Sequence, residues 1–357
     1  MTKHSEALVN LTRINQWWDF KLPLPIAIAF AYAACNQVPA DHFFPAAGTL
    51  LLSGVAAAFF ASIINDLTDL EEDRKAGKNK AIANFSPTIR IIILLGSIAS
   101  LIITAYSLHQ NILALCIFLA IALTFTLYSV KPIRLKSRGM CGAFSIALGE
   151  HLLPACLALA LLTPLTNHSQ LEQWLAATVI WSTAFGLRGI IWHQLNDLSA
   201  DKANHCNTAA LALGPDRLVS LANKAIFPCE LVGLAAILML SKSWIVFFLL
   251  FLHWVVEFLH YKYMGANLIV VRPQENARFI LFEYYQLFFP IAMLAVLVQQ
   301  DSKYYFCLLA FLLLFLNPVL RLTKTVLHLT RWRLIPALRR LPQGKEETFT
   351  LEQFERL

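Results

Sequence analysis

The chain has 357 residues, of which 58% are hydrophobic and only 14% are charged. Soluble domains carry about 45–50% apolar and about 25% charged residues, so this composition excludes a soluble enzyme, a disordered chain and a disulfide scaffold. The net charge of +7 suits a membrane protein with basic cytoplasmic loops, and we expect no nucleic-acid partner. The composition therefore predicts a polytopic membrane protein.

Ten apolar segments are long enough to cross a bilayer, which takes about 17–25 residues. They begin near Leu22, Ala47, Ile89, Ile112, Cys141, Trp174, Leu218, Trp244, Leu281 and Tyr304. The expected fold is all-α, a polytopic transmembrane helical bundle of nine to ten spans.

The connections between these segments alternate between basic and cation-free. Arg74 and Lys75 lie between the second and third spans, and Lys131 and Arg134 between the fourth and fifth, whereas residues 108–111 contain no Lys or Arg. Basic loops remain in the cytoplasm, so the alternation places both termini there. The localisation we expect is a bacterial inner membrane, with the basic loops on the cytoplasmic side.

A single transmembrane domain is expected over residues 1–320, followed by a basic cytoplasmic tail over residues 321–357. Trp332, Leu334 and Leu338 lie among the cations of this tail. Aromatic and apolar residues among cations are typical of a helix that lies on an anionic leaflet. An ordinary cytoplasmic tail has the same composition, so both interpretations stay open.

Carboxylates gather at the cytoplasmic ends of two predicted spans. The second span leads into Asn65, Asp66, Asp69 and Asp73, and the sixth leads into His193, Asn196, Asp197 and Asp201. Spacings of three and four residues place the members of each cluster on one face of a continuing helix. One such cluster alone is equally typical of solvated loop acids. Two clusters that share Asn-Asp-Leu followed by Thr or Ser indicate a common chemistry.

Like charges at these spacings destabilise a helix unless a cation lies between them. Magnesium takes oxygen ligands, commonly one or two carboxylates together with substrate phosphates. Two acidic helix ends flanked by Lys and Arg therefore predict a diphosphate held through magnesium, in which the metal neutralises a departing pyrophosphate.

These residues resemble the motifs of the UbiA superfamily of intramembrane prenyltransferases. The N-D-x-x-D-x-x-x-D element is matched by Asn65, Asp66, Asp69 and Asp73, and the D-x-x-x-D element by Asp197 and Asp201. Between them, the segment from Tyr128 to Gly139 is similar to the family's Y-S-x-x-P-x-R-L-K segment. The resemblance covers roughly residues 20–300, and it implies a helical bundle around a central cavity that opens to lipid.

The resemblance also implies roles for individual residues. The residues that would act in catalysis and hold Mg²⁺ are Asp66, Asp69, Asp73, Asp197 and Asp201, with Asn65 as a further metal ligand. The residues that would contact the substrate are Asn65, Tyr128, Arg134, Lys136, Asn196 and Lys202. The implied partners are a polyprenyl diphosphate, an unidentified small aromatic or lipid acceptor, and membrane lipid.

Ionisable residues inside the predicted spans are candidates for function, because an unpaired charge there is costly. We expect Arg188 to bind phosphate or an anionic acceptor, or else to pair with a motif aspartate for structure. We expect His193 to orient substrate or accept a proton. For Glu150, Glu230 and Glu257, a buried ion pair or a protonated acid is favoured over a base that activates the acceptor.

Several functions share these features. The one we expect is transfer of an isoprenoid from a polyprenyl diphosphate to an acceptor, with release of pyrophosphate. A UbiA-type terpene cyclase, or transfer of another pyrophosphate-activated group such as phosphoribose, would use the same diphosphate site. A cation-binding transporter is the non-enzyme alternative, but it would place charges along the middle of the membrane rather than at two helix ends.

Overall fold

The computed structural model describes residues 9–75, 77, 80–166, 170–203 and 206–331 as a bundle of α-helices. In chain order the helices are α1 (Ile14–Lys21), α2 (Pro23–Asn36), α3 (Ala40–Thr68), α4 (Leu70–Lys75), α5 (Pro87–Ser107), α6 (Ile112–Ser129), α7 (Met140–Leu165), α8 (Leu171–Asn196), α9 (Leu198–Ala203), α10 (Ala209–Leu213), α11 (Pro215–Leu240), α12 (Trp244–Met264), α13 (Tyr284–Gln300), α14 (Ser302–Leu314) and α15 (Leu316–Leu329). Two short parallel strands, β1 (Asn267–Ile269) and β2 (Ala277–Phe279), pair between α12 and α13.

Seven helices in the described part of the chain are long and apolar enough to cross a membrane: α3, α5, α6, α7, α8, α11 and α12. The pair α14–α15 adds an eighth if its 77° bend lies within one span. The all-α bundle is confirmed, but nine to ten spans is slightly too many.

The predicted number of spans is too high because a count of apolar residues does not detect where a helix ends or is interrupted. The first predicted span, from Leu22, corresponds to α2, which ends after only 14 residues because Gln37 adopts a left-handed backbone. The ninth corresponds to α13, a shorter apolar helix. The tenth is interrupted at Phe315, where α14 and α15 meet at the bend.

The short helix α2 lies at the centre of the bundle. Every residue from Pro23 to Ala34 is buried, and the helix packs against α7 and α13. Its alanines let neighbouring backbones approach closely. The opposite pattern holds for α5, where Ile91, Ile102 and Ile103 are exposed, as expected for a helix that faces lipid.

The predicted basic tail lies outside the described residues from position 332 onward, which includes Trp332, Leu334 and Leu338. The preceding helix α15 is described, and it exposes Leu316 and Leu327 together with the cation Arg321. An interfacial position for this end of the chain therefore stays a prediction.

Candidate active site

The two acidic clusters lie on helix ends of the same local form. Each helix continues past its last regular residue through two backbone hydrogen bonds, from Asp69 N to Asn65 O (3.1 Å), Asp73 N to Asp69 O (2.8 Å), Asp197 N to His193 O (2.9 Å) and Asp201 N to Asp197 O (2.8 Å). The residues of each series are therefore one helical turn apart and share a face of the chain.

Asp69 lies between two basic side chains. The Nη2 atom of Arg134 donates to Asp69 Oδ1 at 3.0 Å, and the Lys136 ammonium binds the same oxygen. Lys136 Nζ also lies 3.2 Å from Asn65 Oδ1. Burial lowers the pKa of Lys136, and the charge of Asp69 opposes that shift. The basic segment after α6 therefore contacts the first acidic cluster directly.

Arg134 also forms an ion pair with Glu72, through Nη1 at 2.6 Å and through Nη2. The hydrogen bond from Arg134 lowers the pKa of Glu72, and the bond to Glu72 raises the pKa of Arg134. The Nε atom of Arg134 is buried and has no partner among the described residues. The backbone of Arg134 is left-handed, with φ of 41°, a conformation that costs free energy for a non-glycine residue. A cation held in this way with an unused donor is suited to bind a phosphate oxygen.

Asp66 faces a different pair of cations. It is 1% exposed, and Arg13 donates from Nε to Oδ2 at 3.2 Å and binds Oδ1 as well. Lys80 Nζ lies 3.7 Å from Oδ1. Asp73 lines a shallow pocket with Arg74 and Lys80. The first cluster therefore divides its carboxylates between two groups of basic side chains.

The second cluster is joined to the first through the same basic segment. Gly139 N donates to Asn207 O at 2.7 Å, and Cys206 Sγ lies 3.9 Å from the carbonyl oxygen of Lys136. The loop that follows the second cluster is thereby held against the loop that binds the first.

Tyr128 lines the same cavity as Asn65 of the first cluster and His193 of the second. Asp201 is half-buried. His193, Asn196 and Asp197 of the second cluster are exposed, as is the neighbouring Lys202. Both clusters therefore contribute a residue to one cavity, and the shared diphosphate site stays a prediction.

This cavity, of about 280 Å³, lies between α1, α2, α3, α6, α7 and α8. Its polar end is formed by Lys21, Asn65, Tyr128, Glu150 and His193. Its remaining wall is largely apolar and includes Leu50, Ala57, Phe125 and Leu157. An apolar cavity with a few converging polar groups at one end is the usual form of a ligand site.

Lys21 and Glu150 form an ion pair at the polar end of the cavity. Lys21 ends α1 immediately before the break at Leu22, and Glu150 lies in a π-helical turn of α7, Leu148–Leu152. Such turns occur frequently at functional sites because they redirect side chains. An ion pair, as the sequence favoured for Glu150, is present with Lys21 as the partner, although both side chains are half-buried rather than buried.

Arg188 lies elsewhere, fully buried between helices. Its Nε and Nη2 atoms donate to Glu230 at 2.5 and 2.6 Å, and Nη2 also donates to Ile280 O at 3.0 Å. Its guanidinium carbon lies 4.1 Å from the centre of the Phe279 ring, and Arg188 is not among the residues that line the cavity. This arrangement favours the structural alternative for Arg188, with Glu230 rather than a motif aspartate as its partner.

Four site residues were not anticipated from the sequence: Arg13, Lys21, Glu72 and Lys80. Glu72 had a local signal, because it follows Asp69 by three residues on the same helix face. Arg13 is 53 residues from Asp66, and no motif connects the two, so only the fold reveals that contact.

The model of the UbiA prenyltransferase family matches residues 22–267, more than half of the chain. The chain belongs to the UbiA prenyltransferase family. Its family membership and its apolar helices identify it as a multi-pass integral membrane protein.

Solved structures of a UbiA homolog from Archaeoglobus fulgidus share the fold at 18% sequence identity. The form bound to DMAPP and Mg²⁺ has a TM-score of 0.55 and aligns over 81% of this chain and 98% of its own. The forms bound to GPP and Mg²⁺ and to Cd²⁺ have TM-scores of 0.55 and 0.56, each over 82% of this chain and 99% of its own. A search of curated protein sequences gave no match.

For this UbiA family member we predict that Arg188→Met lowers the free energy of unfolding by about 3–5 kcal/mol, because Glu230 is left buried without its partner. Thermal unfolding of the detergent-solubilised protein measures the effect. In the double variant Arg188→Met/Glu230→Leu most of the stability returns, since no uncompensated charge remains. A double variant that is stable yet no longer binds diphosphate would contradict the structural role.

Proposed function

We propose that this protein is a magnesium-dependent intramembrane prenyltransferase. It moves an isoprenoid from a polyprenyl diphosphate to a small aromatic or lipid acceptor and releases pyrophosphate. The observation that carries the proposal is the cluster of Asp69, Arg134 and Lys136 beside the polar end of an apolar cavity. Family membership supports the reaction type, and the solved homolog is described with DMAPP or GPP together with Mg²⁺.

The donor set of the site fits magnesium, because it consists of carboxylate and amide oxygens. The residues that would hold the ion are Asn65, Asp66, Asp69, Asp73, Asp197 and Asp201. When bound, magnesium supplies neutralisation of the charge on the leaving diphosphate.

Arg134 and Lys136 bind the diphosphate oxygens in this proposal. The unused Nε of Arg134 is a donor available for that purpose, and preorganised donors stabilise a leaving group's charge without reorganisation during the reaction. Tyr128 positions the diphosphate from the cavity wall, and Asn196 and Lys202 contact it from the second helix end.

The isoprenoid chain occupies the apolar part of the cavity. Ionisation of an allylic diphosphate produces a carbocation that water would quench, so a dry wall protects it. The faces of Phe125 and Trp17, both in the lining, stabilise the positive charge. His193 lies at the polar end and accepts the proton that the acceptor loses.

Two enzymatic alternatives use the same diphosphate site and differ in the product. A terpene cyclase would close the carbocation on its own chain, and a phosphoribosyl transferase would take a polar donor. The apolar lining favours an isoprenoid over phosphoribose. A transporter is disfavoured, because the acidic residues cluster at two helix ends rather than along a path through the bundle.

We predict that Asp69→Asn and Asp197→Asn each reduce magnesium-dependent pyrophosphate release by about 10²–10³-fold, because each removes an anionic ligand of the magnesium that would neutralise the leaving group. The assay gives purified protein a series of polyprenyl diphosphates together with a membrane lipid extract. Glu71→Gln is the matched control, since Glu71 lies in the same acidic run but is exposed and should leave release unchanged.

Equal release by wild type and both aspartate variants would reject the diphosphate site. A cyclised product instead of a prenylated acceptor would show that the protein is a terpene cyclase and not a transferase. Release of pyrophosphate from a phosphoribosyl diphosphate alone would show that the donor is phosphoribose and not an isoprenoid.

The cavity lining should set the length of the isoprenoid. Ala57→Phe adds a ring to the apolar wall, so the ratio of turnover with short over long polyprenyl diphosphates should rise by about tenfold or more. Ile103→Phe, at a lipid-facing position that is 65% exposed, serves as the control with an unchanged ratio. An unchanged ratio in Ala57→Phe would show that the chain binds elsewhere.

We propose further that the acidic clusters and both termini face the cytoplasm of a bacterial inner membrane, which the distribution of basic loops supports. Green fluorescent protein fused after Arg138 should fluoresce, whereas a fusion after His109 should remain dark, because the reporter does not mature when exported in unfolded form. The reverse pattern would invert the topology.

A further inference from the structure

A second group of potential metal ligands lies on α12 and α13, separate from the motif aspartates. His253 and Glu257 are one turn apart on α12, and Glu283 immediately precedes α13. One ligand atom from each of these three residues lies within 4.8 Å of the other two. The sequence favoured only a buried ion pair or protonated acid for Glu257, and the proposed transfer reaction makes no use of this group.

His253 is the unusual member of the group. It is 0% exposed, yet neither Nδ1 nor Nε2 has a hydrogen-bond partner among the described residues. Aromatic rings surround it, with Tyr284 and Phe288 centred 5.9 and 5.5 Å away. Buried polar groups are nearly always satisfied, so an imidazole with two unsatisfied nitrogens beside two carboxylates indicates a missing partner.

His260 shows what a satisfied histidine looks like on the same helix. Its Nδ1 pairs with Val256 O at 2.9 Å and its Nε2 with Thr325 Oγ1 at 3.2 Å. Both histidines are buried, and they differ in whether their nitrogens have partners. The environment of His253 is therefore not a general feature of buried histidines in this bundle.

The negative charge of this group exceeds the positive charge beside it, so the group can accept a cation. Arg278 donates to both oxygens of Glu257 at 2.8 and 2.7 Å and to Glu283 Oε2 at 2.7 Å. Two carboxylates against one guanidinium leave a net negative charge, with Glu257 only 2% exposed. Each carboxylate oxygen has a second lone pair, so a metal ion can bind while Arg278 remains as the outer hydrogen-bond donor that such ligands commonly have.

We propose that His253, Glu257 and Glu283 form a binding site for a divalent transition-metal ion, with Zn²⁺ as the representative ion. An imidazole nitrogen with two carboxylates is a ligand set that Zn²⁺ accepts, whereas Mg²⁺ prefers oxygen ligands alone. Metal–ligand bonds of about 2.0–2.2 Å would bring the ligand atoms to roughly 3.3 Å from one another, so side-chain movements of an ångström or so complete the site. The ion would tie α12 to the start of α13 across the β1–β2 connection.

Zinc titration of the full-length protein in detergent tests the proposal, after removal of any purification tag and of bound metals by a chelator. Excess Mg²⁺ is kept present to occupy the motif aspartates. We expect wild type to bind one equivalent of Zn²⁺ by calorimetry and by elemental analysis. His253→Ala should weaken that binding by about 100-fold or more, whereas His260→Ala, the matched substitution on the same helix, should leave it unchanged.

Glu283→Gln provides a second variant, because it keeps the Glu257–Arg278 ion pair and so preserves the fold. It too should weaken binding, and it should change the visible absorption of Co²⁺ placed in the site. Absence of a stoichiometric zinc equivalent in wild type, or equal binding by wild type and His253→Ala, would overturn the proposal. Neither result bears on prenyl transfer, which is assayed with magnesium alone.

Discussion

Negative charge at the ends of two membrane helices must be balanced by positive charge, and one basic segment provides that balance for Asp69 and Glu72. Arg134 and Lys136 bind Asp69 from this segment, and Gly139 fastens it to the loop after the second aspartate series. Charges a few ångströms apart interact strongly where water is partly excluded. The segment between α6 and α7 therefore holds two distant parts of the chain together, as the proposed diphosphate site needs.

The site combines two environments that rarely lie so close. On one side is a group of ionised side chains, and on the other a cavity walled by Leu50, Phe125 and other apolar residues. The boundary between them is formed by Tyr128 and by the Lys21–Glu150 ion pair. A substrate with a charged head and a hydrocarbon chain spans such a boundary without exposing either part to the wrong surroundings. The break at Leu22 and the π-helical turn at Glu150 put these polar groups where regular helices would not.

The acidic clusters could be predicted from the sequence because their residues lie close together in the chain. Spacings of three and four residues survive in the structure, since backbone hydrogen bonds carry each helix through Asp69 and Asp197. Contacts between distant segments were not predictable, as with Arg13 and Asp66. Arg188 was correctly singled out as a buried charge, but its partner Glu230 lies 42 residues away and carries no motif. Hydropathy identified the apolar segments and overcounted the spans, because it does not register where helices end or bend, as at Gln37 and Phe315.

The central helix α2 has a consequence for how this protein can vary. It carries no motif residue, yet every side chain from Pro23 to Ala34 is enclosed by neighbours, and interiors packed at crystal-like density resist any added volume. A map of tolerated substitutions would therefore show a continuous band of intolerance across this helix, as severe as that at the aspartates. Intolerance there would report steric confinement, in a helix that supplies only Pro25 and Ile26 to the cavity wall and no ligand to the diphosphate.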